Sequence, residues 1–394
     1  MEKLKVGILG LRRGITHLHN FLAVQNAEVI GACDWYQRNR DRAAEVMAGA
    51  DCKAPILEQL DDLLDLKPDA IMLACNGRQQ AQCAIQAMEA GCHVLSEVPG
   101  AFTELECVQI RDAVQRTGMT YMLGENANFW YFFRHWRRWV MRNDFGPVSL
   151  AEGEYLHYLP AMMKAPDSTT YTPSQVKAEG RKDCVPVWRA DQPPIQYLTH
   201  DLGPLLEILD DRVVSVTCMG APWRCPETPL RSDGQFALFQ TAKGTLIRIL
   251  VTLSTRRPSE HRYRLFGVEG ACEFASYEGY TRFFGRQHEE ADGWQRVDIG
   301  LGSAGSDTSG GHGGADIQVA WHFADTVLNG RQSPIDVYRM IEYTLPGILA
   351  ARSADLGGHP IQIPDLRPEP YTGTIFWDAV GLPDDEPEMR PYKE

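Results

Sequence analysis

The chain reads as an α/β protein: a doubly wound parallel sheet at the N-terminus, followed by an α+β domain with a large, mostly antiparallel open sheet. Three observations predict this. Short apolar strands alternate with helical stretches over the first third. Strand follows strand in the second half. The length of 394 residues exceeds a single comfortable core, so two domains are expected. We place their boundary at 1–124 and 125–394.

The alternation begins with LKVGILG and a helix around Thr16–Gln25. AEVIGACD then precedes a helix around Asn39–Ala48, and PDAIMLAC leads into QQAQCAIQAMEAG. HVLSEVP feeds a helix around Leu105–Thr117, and MTYMLGEN closes the series. Strands apolar on both faces and separated by helices indicate a parallel sheet covered on both sides. Such sheets bind ligands at the carboxyl ends of their strands.

The pattern changes after Asn126. An aromatic helix, Phe129–Met141, packs a core, while Arg134, Arg137 and Arg138 read as its solvated face. FGPVSLAEGEYLHY is a strand, and the proline-bearing stretch from Pro160 to Pro194 reads as long loops. A helix near Asp201–Leu209 precedes the strands RVVSVTCMG, QFALFQTA, GTLIRILVTLS, HRYRLFGV and ACEFAS. Consecutive strands favour antiparallel pairing. Gly302–Gly314 is glycine- and serine-rich and reads as mobile, leading into a helix near Asp316–Asn329.

Composition narrows the function. A net charge of −13 disfavours non-specific nucleic-acid binding. Ten cysteines without a C-x-x-C pair give neither a zinc ribbon nor a redox motif and fit a reducing compartment. No H-E-x-x-H or clustered His/Asp spacing implies a metal, and no G-x-S-x-G implies a serine nucleophile. No apolar run approaches membrane-spanning length, and the first strand begins almost at Met1. These features predict a cytoplasmic protein without a membrane partner.

The turn after the first strand is Gly10-Leu11-Arg12-Arg13-Gly14. It lacks the G-x-G-x-x-G spacing, yet a helix N-terminus there still offers backbone N–H groups to a pyrophosphate. Arg12 and Arg13 are positioned to add charge-assisted bonds. Asp34 ends the second strand, 20 residues after Gly14, where a carboxylate accepts adenosine ribose hydroxyls and repels a 2′-phosphate. NAD is therefore favoured over NADP. Asn76 and Glu97-Val98-Pro99 lie just beyond two further strands.

With these strand ends in place, the chain resembles the glucose–fructose oxidoreductase / inositol dehydrogenase (Gfo/Idh/MocA) family over nearly its whole length. Members commonly carry G-L-G-R-R-G, A-T-P-x-x-x-H and E-K-P. The corresponding stretches here are GLRRG, ACNGRQQ with Gln80 in the histidine place, and Glu97-Val98-Pro99. The lysine that usually helps a substrate hydroxyl lose its proton is thus Val98, and an aliphatic side chain does no acid–base work. A narrower resemblance is to the NAD-dependent glycoside hydrolase family 109, through EVPGAFT, GENANF, EGEYLHY, YLTHDLGP and SGGHGGAD. Phe129 and Leu198 depart from its pattern.

The resemblance implies a cofactor set of Gly10, Leu11, Arg12, Arg13, Gly14, Asp34, Asn76, Glu97, Pro99, Glu125 and Asn126. It carries over Tyr155, His157, Tyr197 and His200 as the catalytic group. Tyr155 and His157 share one face of a strand. Tyr197 and His200 sit just before an apolar helix, as a substrate-facing loop would. Imidazole suits removal of a sugar hydroxyl proton while hydride leaves the same carbon, and His200 is the favoured base. Trp188 and His312 are candidate substrate contacts.

The leading expectation is an NAD-dependent oxidoreductase acting on a sugar, polyol or glycoside. One alternative is a glycosidase that oxidises C3 transiently, eliminates the aglycone, adds water and reduces. Another is a non-catalytic NAD-binding sensor, to which Val98 points. An uncovered sheet face in the second domain predicts a homodimer or homotetramer.

Overall fold

The computed structural model describes residues 2–286, 293–302, 311–369 and 376–392. Its first sheet comprises β1 (Leu4–Leu9), β2 (Ala27–Cys33), β3 (Ile56–Leu57), β4 (Ala70–Leu73), β5 (His93–Ser96) and β6 (Tyr121–Leu123). All pairs are parallel, in the order β3-β2-β1-β4-β5-β6 of the doubly wound fold. Helices α1 (Gly14–Ala23), α2 (Gln37–Gly49), α3 (Leu60–Asp65), α4 (Gly77–Glu89) and α5 (Glu104–Thr117) connect them. Each expected helix is present within a few residues. The short α3 and the two-residue β3 were not anticipated, because neither is long enough to show a period.

The second sheet begins after α6 (Tyr131–Met141), whose Phe132, Phe133, Trp136 and Trp139 are fully buried. The expected solvated arginines are instead clamps. Arg137 donates to the Ile208 carbonyl at 2.9 Å, Arg134 to Gln318 at 2.6 Å and Arg138 to the Pro383 carbonyl at 2.7 Å. Long side chains run along apolar surface while their heads reach polar partners.

β7 (Val148–Leu156) then enters the middle of a ten-stranded sheet. The stretch from Pro160 to Pro194 is not simply loops. It holds β8 (Met163–Lys164), β9 (Thr170–Tyr171), α7 (Pro173–Ala178), β10 (Val185–Pro186) and α8 (Trp188–Asp191), with the three strands forming a small sheet of their own. Strands of two residues leave no alternating pattern to read. This unit leans on the first domain: Lys164 donates to the Tyr36 hydroxyl at 2.8 Å and Arg78 meets Asp191 at 3.0 Å.

Beyond it come α9 (Thr199–Leu209), β11 (Val213–Pro222), β12 (Ser232–Thr241), β13 (Leu246–Thr252), β14 (Glu260–Gly267), β15 (Gly270–Ala275), β16 (Thr281–Gly285) and β17 (Gln295–Val297). Next are α10 (Ala315–Leu328), α11 (Val337–Asp355), β18 (Ile361–Gln362), α12 (Phe376–Val380) and β19 (Met389–Pro391). The order is β18-β11-β12-β13-β7-β14-β15-β16-β17-β19. Among the described strands its pairs are antiparallel except β7 with β13. Residues 303–310 of the glycine-rich stretch lie outside the described residues.

α11 escapes sequence reading because it is apolar on nearly every side, with Pro346 inside it, and so shows no amphipathic period. It is buried between the two sheets. One glycine sets the site's geometry. A Cβ on Gly153 of β7 would stand 2.7 Å from the Asp201 Cβ, so glycine lets α9 lie directly against the sheet.

Candidate active site

The turn after β1 depends on Gly10, at φ +87°, where a Cβ would fall 2.4 Å from the Ala74 carbonyl oxygen. The next residue, Leu11, donates its N–H to Asp34 Oδ2 at 2.6 Å. Asp34 Oδ1 accepts from the Tyr36 N–H at 2.8 Å, and Asn39 Nδ2 reaches Oδ2 at 3.1 Å. The carboxylate is thereby fixed at the end of β2. α1 starts at Gly14 with no side-chain cap and no acidic residue in its first turn. Its first N–H groups suit a pyrophosphate, so the cradle fits a dinucleotide.

Several residues expected to contact cofactor also have protein partners. Asn76 caps α4 by accepting the Arg78 N–H at 3.2 Å. Gln80, in the histidine place, donates to Ser96 Oγ at 2.9 Å and to the Glu97 carbonyl. Arg13 gives its Nε to Glu97 at 2.7 Å and both terminal nitrogens to Asp316. His17 also holds Glu97, at 2.7 Å. Asn126 donates to Asp316 at 2.6 Å, and His312 Nδ1 lies 3.0 Å from the same carboxylate. Burial opposes ionisation of Glu97, but Arg13 and His17 prevail and hold it down to about 2. Asp316 is likewise held low against its burial by His312 and Arg13. Arg13 thus closes an ionic clasp between the opening turn and α10. Arg12 remains exposed and reaches Thr170 at 3.4 Å.

The carried-over catalytic residues converge. His200 lies in the first turn of α9 rather than in a loop before it, because the helix begins at Thr199. Its Nδ1 is 2.6 Å from Oε1 of Glu125, which is wholly buried at the end of the first domain. Glu125, expected as a cofactor contact, thus has the His200 imidazole as a partner. Tyr155 stacks on His200 with ring centroids 5.6 Å apart, and Tyr197 meets it edge-on at 5.2 Å. Burial first, and then each other's proximity or nearby carboxylates, push both phenols above their ordinary range, so both are neutral donors. Val98 is buried and apolar.

His157 stacks on Tyr155 at 4.0 Å, and its Nε2 lies 3.4 Å from that of His261. Burial and then the neighbouring His200 depress His157 to about 4. His261 is pushed down by the same causes. Both rings are neutral near pH 7 and share one hydrogen between them.

Comparison with known proteins follows this geometry. Residues 4–125 match the oxidoreductase family GFO_IDH_MocA, NAD-binding Rossmann fold, and residues 231–372 match the glycosyl hydrolase 109 C-terminal domain. The chain thus carries a Gfo/Idh/MocA NAD-binding domain followed by a glycosyl hydrolase 109 C-terminal domain. Among its relatives, a glycosyl hydrolase family 109 protein of Shewanella sp. (strain W3-18-1) is 26% identical over 93% of this chain and 85% of its own length. A levoglucosan dehydrogenase in complex with NADH and levoglucosan superposes with a TM-score of 0.75 at 18% identity, covering 92% of this chain and 100% of that one. Myo-inositol 2-dehydrogenase from Lactobacillus plantarum gives 0.70 at 16% identity, covering 92% and 100%.

Three residues of the candidate site escaped sequence reading. Arg189 donates to the Tyr197 hydroxyl at 2.8 Å and lies over the Tyr197 and Trp188 rings, 4.5 and 5.0 Å from their centroids. Its neighbour Trp188 was singled out, but α8 is too short to show which side chain faces inward. His261 sits on β14, whose pairing with β7 sets His261 opposite Tyr155. That cross-strand register is invisible in one sequence. Asp316 is the final residue of SGGHGGAD, and a carboxylate so close to a basic turn was the available signal. Trp188 itself lies 6.4 Å from Tyr197, and its ring meets Phe102 edge to face at 5.3 Å. Among the described residues no cluster of His, Cys, Asp or Glu is arranged to hold a metal.

Proposed function

We propose that this protein is an NAD-dependent oxidoreductase acting on an alcohol carbon of a sugar, polyol or glycoside, with His200 as the proton acceptor. The Glu125–His200 pair, at 2.6 Å and flanked by Tyr155 and Tyr197, carries this reading. NAD, when bound, supplies the hydride acceptor. Glu125 keeps the ring hydrogen on Nδ1, which leaves the Nε2 lone pair as the base. Arg189 bonds the Tyr197 oxygen, so the Tyr197 hydrogen is free for a substrate oxygen. Val98 takes no part in proton transfer. The dehydrogenases among the structural neighbours act on sugars and inositols by name, which supports the substrate class. Following the near-ultraviolet absorbance of reduced nicotinamide across a panel of sugars, polyols and glycosides tests it; reduction with none of them would overturn it.

A second reading, an NAD-dependent glycosidase using the same residues, is supported by the C-terminal match and by the curated relatives' names. Nitrophenol release from nitrophenyl glycosides without added cofactor would select it.

In this reading residues 1–124 hold NAD, with Gly10–Gly14 and Asp34 as the cradle, and 125–394 bind substrate and assemble. Asp34→Ser with a nearby arginine introduced should weaken NAD and admit NADP, because it removes the charge that repels a 2′-phosphate and adds one that attracts it. Calorimetry showing that the wild type already prefers NADP would refute the role of Asp34.

The ten free thiols suit a reducing cytoplasm. The open face of the large sheet is less apolar than expected. Leu150, Phe236, Leu238 and Met219 are exposed there, but Arg248 and Arg264 pair with Glu152 and Glu154 between them. Such a mixed face suits a homodimer or homotetramer interface, which light scattering at micromolar concentration tests; a monomer would exclude it.

A further inference from the structure

We propose that residues 163–171, which belong to the second domain, form a strap across the adenosine end of the cradle. The cofactor then enters and leaves only when Thr169 and Thr170 release Arg38 and Arg12. The proposal rests on the NAD reading of the cradle. A dinucleotide fold holds its adenosine ribose at the end of the second strand, where Asp34 stands between two turns. One turn is 10–14, and the other runs from Asp34 into α2.

The strap touches both turns. Arg12, in the first, reaches Thr170 Oγ1 at 3.4 Å. From the start of α2, Arg38 donates to Thr169 Oγ1, and Asn39 Nδ2 lies 3.4 Å from Ser168 Oγ. The same Asn39 nitrogen holds Asp34 Oδ2 at 3.1 Å, so one amide links the strap to the ribose acceptor. At the strap's other end Lys164 donates to the Tyr36 hydroxyl at 2.8 Å and stands 4.7 Å from the centroid of that ring. A segment anchored on both sides of Asp34 crosses the gap in which the ribose would sit.

The strap's shape is set by its own bonds. The Thr169 N–H and hydroxyl both donate to Asp167, each at 2.9 Å, and the Ser168 N–H donates to the Ala165 carbonyl at 3.0 Å. With its hydrogen given to Asp167, the Thr169 hydroxyl offers Arg38 its lone pairs. The grip on the first domain is light. Arg12 and Arg38 meet neutral hydroxyls here, and both bonds are exposed to water, which competes for the same groups. Such bonds hold a segment closed without fixing it, and they leave both guanidinium charges for an anionic ligand.

The test uses the full-length protein and NADH, followed by stopped-flow fluorescence. Thr169→Ala/Thr170→Ala removes both hydroxyls and no residue of the cradle. Association and dissociation of NADH should each quicken about tenfold, the loss expected from one or two net hydrogen bonds, while Kd stays within about threefold. Equal acceleration in both directions marks a gate, since the barrier falls and the end states keep their relative energies. Dissociation alone quickening, with Kd weakened in step, would make the threonines direct cofactor contacts and overturn the gate. Unchanged rates would overturn it too. Amide hydrogen exchange gives a second readout. Exchange across 163–171 should quicken by a similar factor in the variant, with and without NADH, while β1 and β2 stay as protected as in the wild type. Faster NADH rates without faster exchange there would show that the strap is not the moving part. If NADH fails to bind the wild type, the cofactor reading of the cradle falls and the strap with it.

Discussion

His200→Ala should cut single-turnover hydride transfer by about two to four orders of magnitude, the span of a general base. NADH affinity, followed by fluorescence, should change little, because His200 belongs to α9 and the cradle to the opening turn. The partner variant is sharper. Glu125→Gln keeps the shape of the site but removes the carboxylate charge and lets an amide N–H face Nδ1, which favours the other tautomer. In a serine-protease triad the equivalent Asp-to-Asn change costs about 10⁴ through the wrong tautomer. A loss on the order of 10²–10⁴ is therefore expected here without loss of fold. His157 is the poorer candidate. Its depression to about 4 makes it a weak base, and His261 already engages its Nε2. Near-normal turnover in His200→Ala would move the base elsewhere.

The second large effect is on stability. Arg13→Met strips the guanidinium from Glu97 and Asp316 together, leaving two buried carboxylates with only histidine and amide partners. Breaking a buried pair costs about 3–5 kcal/mol; because the Arg13 side chain is partly exposed, about 2–3 kcal/mol is expected. The pH dependence has a definite sign. Glu97 is held at about 2 in the folded chain, below the ordinary carboxylate value of about 4.3. Its contribution is complete above that ordinary value and fades as pH falls toward 2. The Tm gap between wild type and Arg13→Met should thus hold from neutral pH down to about 4.3 and narrow from there toward pH 2. A gap independent of pH would mean that the clasp is packing, not charge.

The cofactor domain was legible because its signals are local. Four-residue apolar runs such as AIML and helices of ten or more residues show their period within one window, and strand ends follow directly. Asp34 and Gly10 could be placed from a strand and a turn alone. The candidate site was half legible. Tyr155 and His157 share a strand face by simple alternation, and Tyr197 and His200 are three residues apart. Their partners were hidden, since Glu125, Arg189 and His261 come from three other segments whose approach depends on packing.

By itself the sequence determined the doubly wound domain and the run of strands after it. Only the tertiary structure decided what each polar group does. Glu125 meets the His200 ring, Arg13 clasps two carboxylates, and Asn76 caps a helix, although each read as a cofactor contact in the linear chain. The reason is that a side chain's role is set by which partner reaches it within about 3 Å, the range of a hydrogen bond. Those partners lie 75 residues away for His200 and 303 for Arg13. Separations of that size are fixed by how sheets and helices stack, and no local pattern records them.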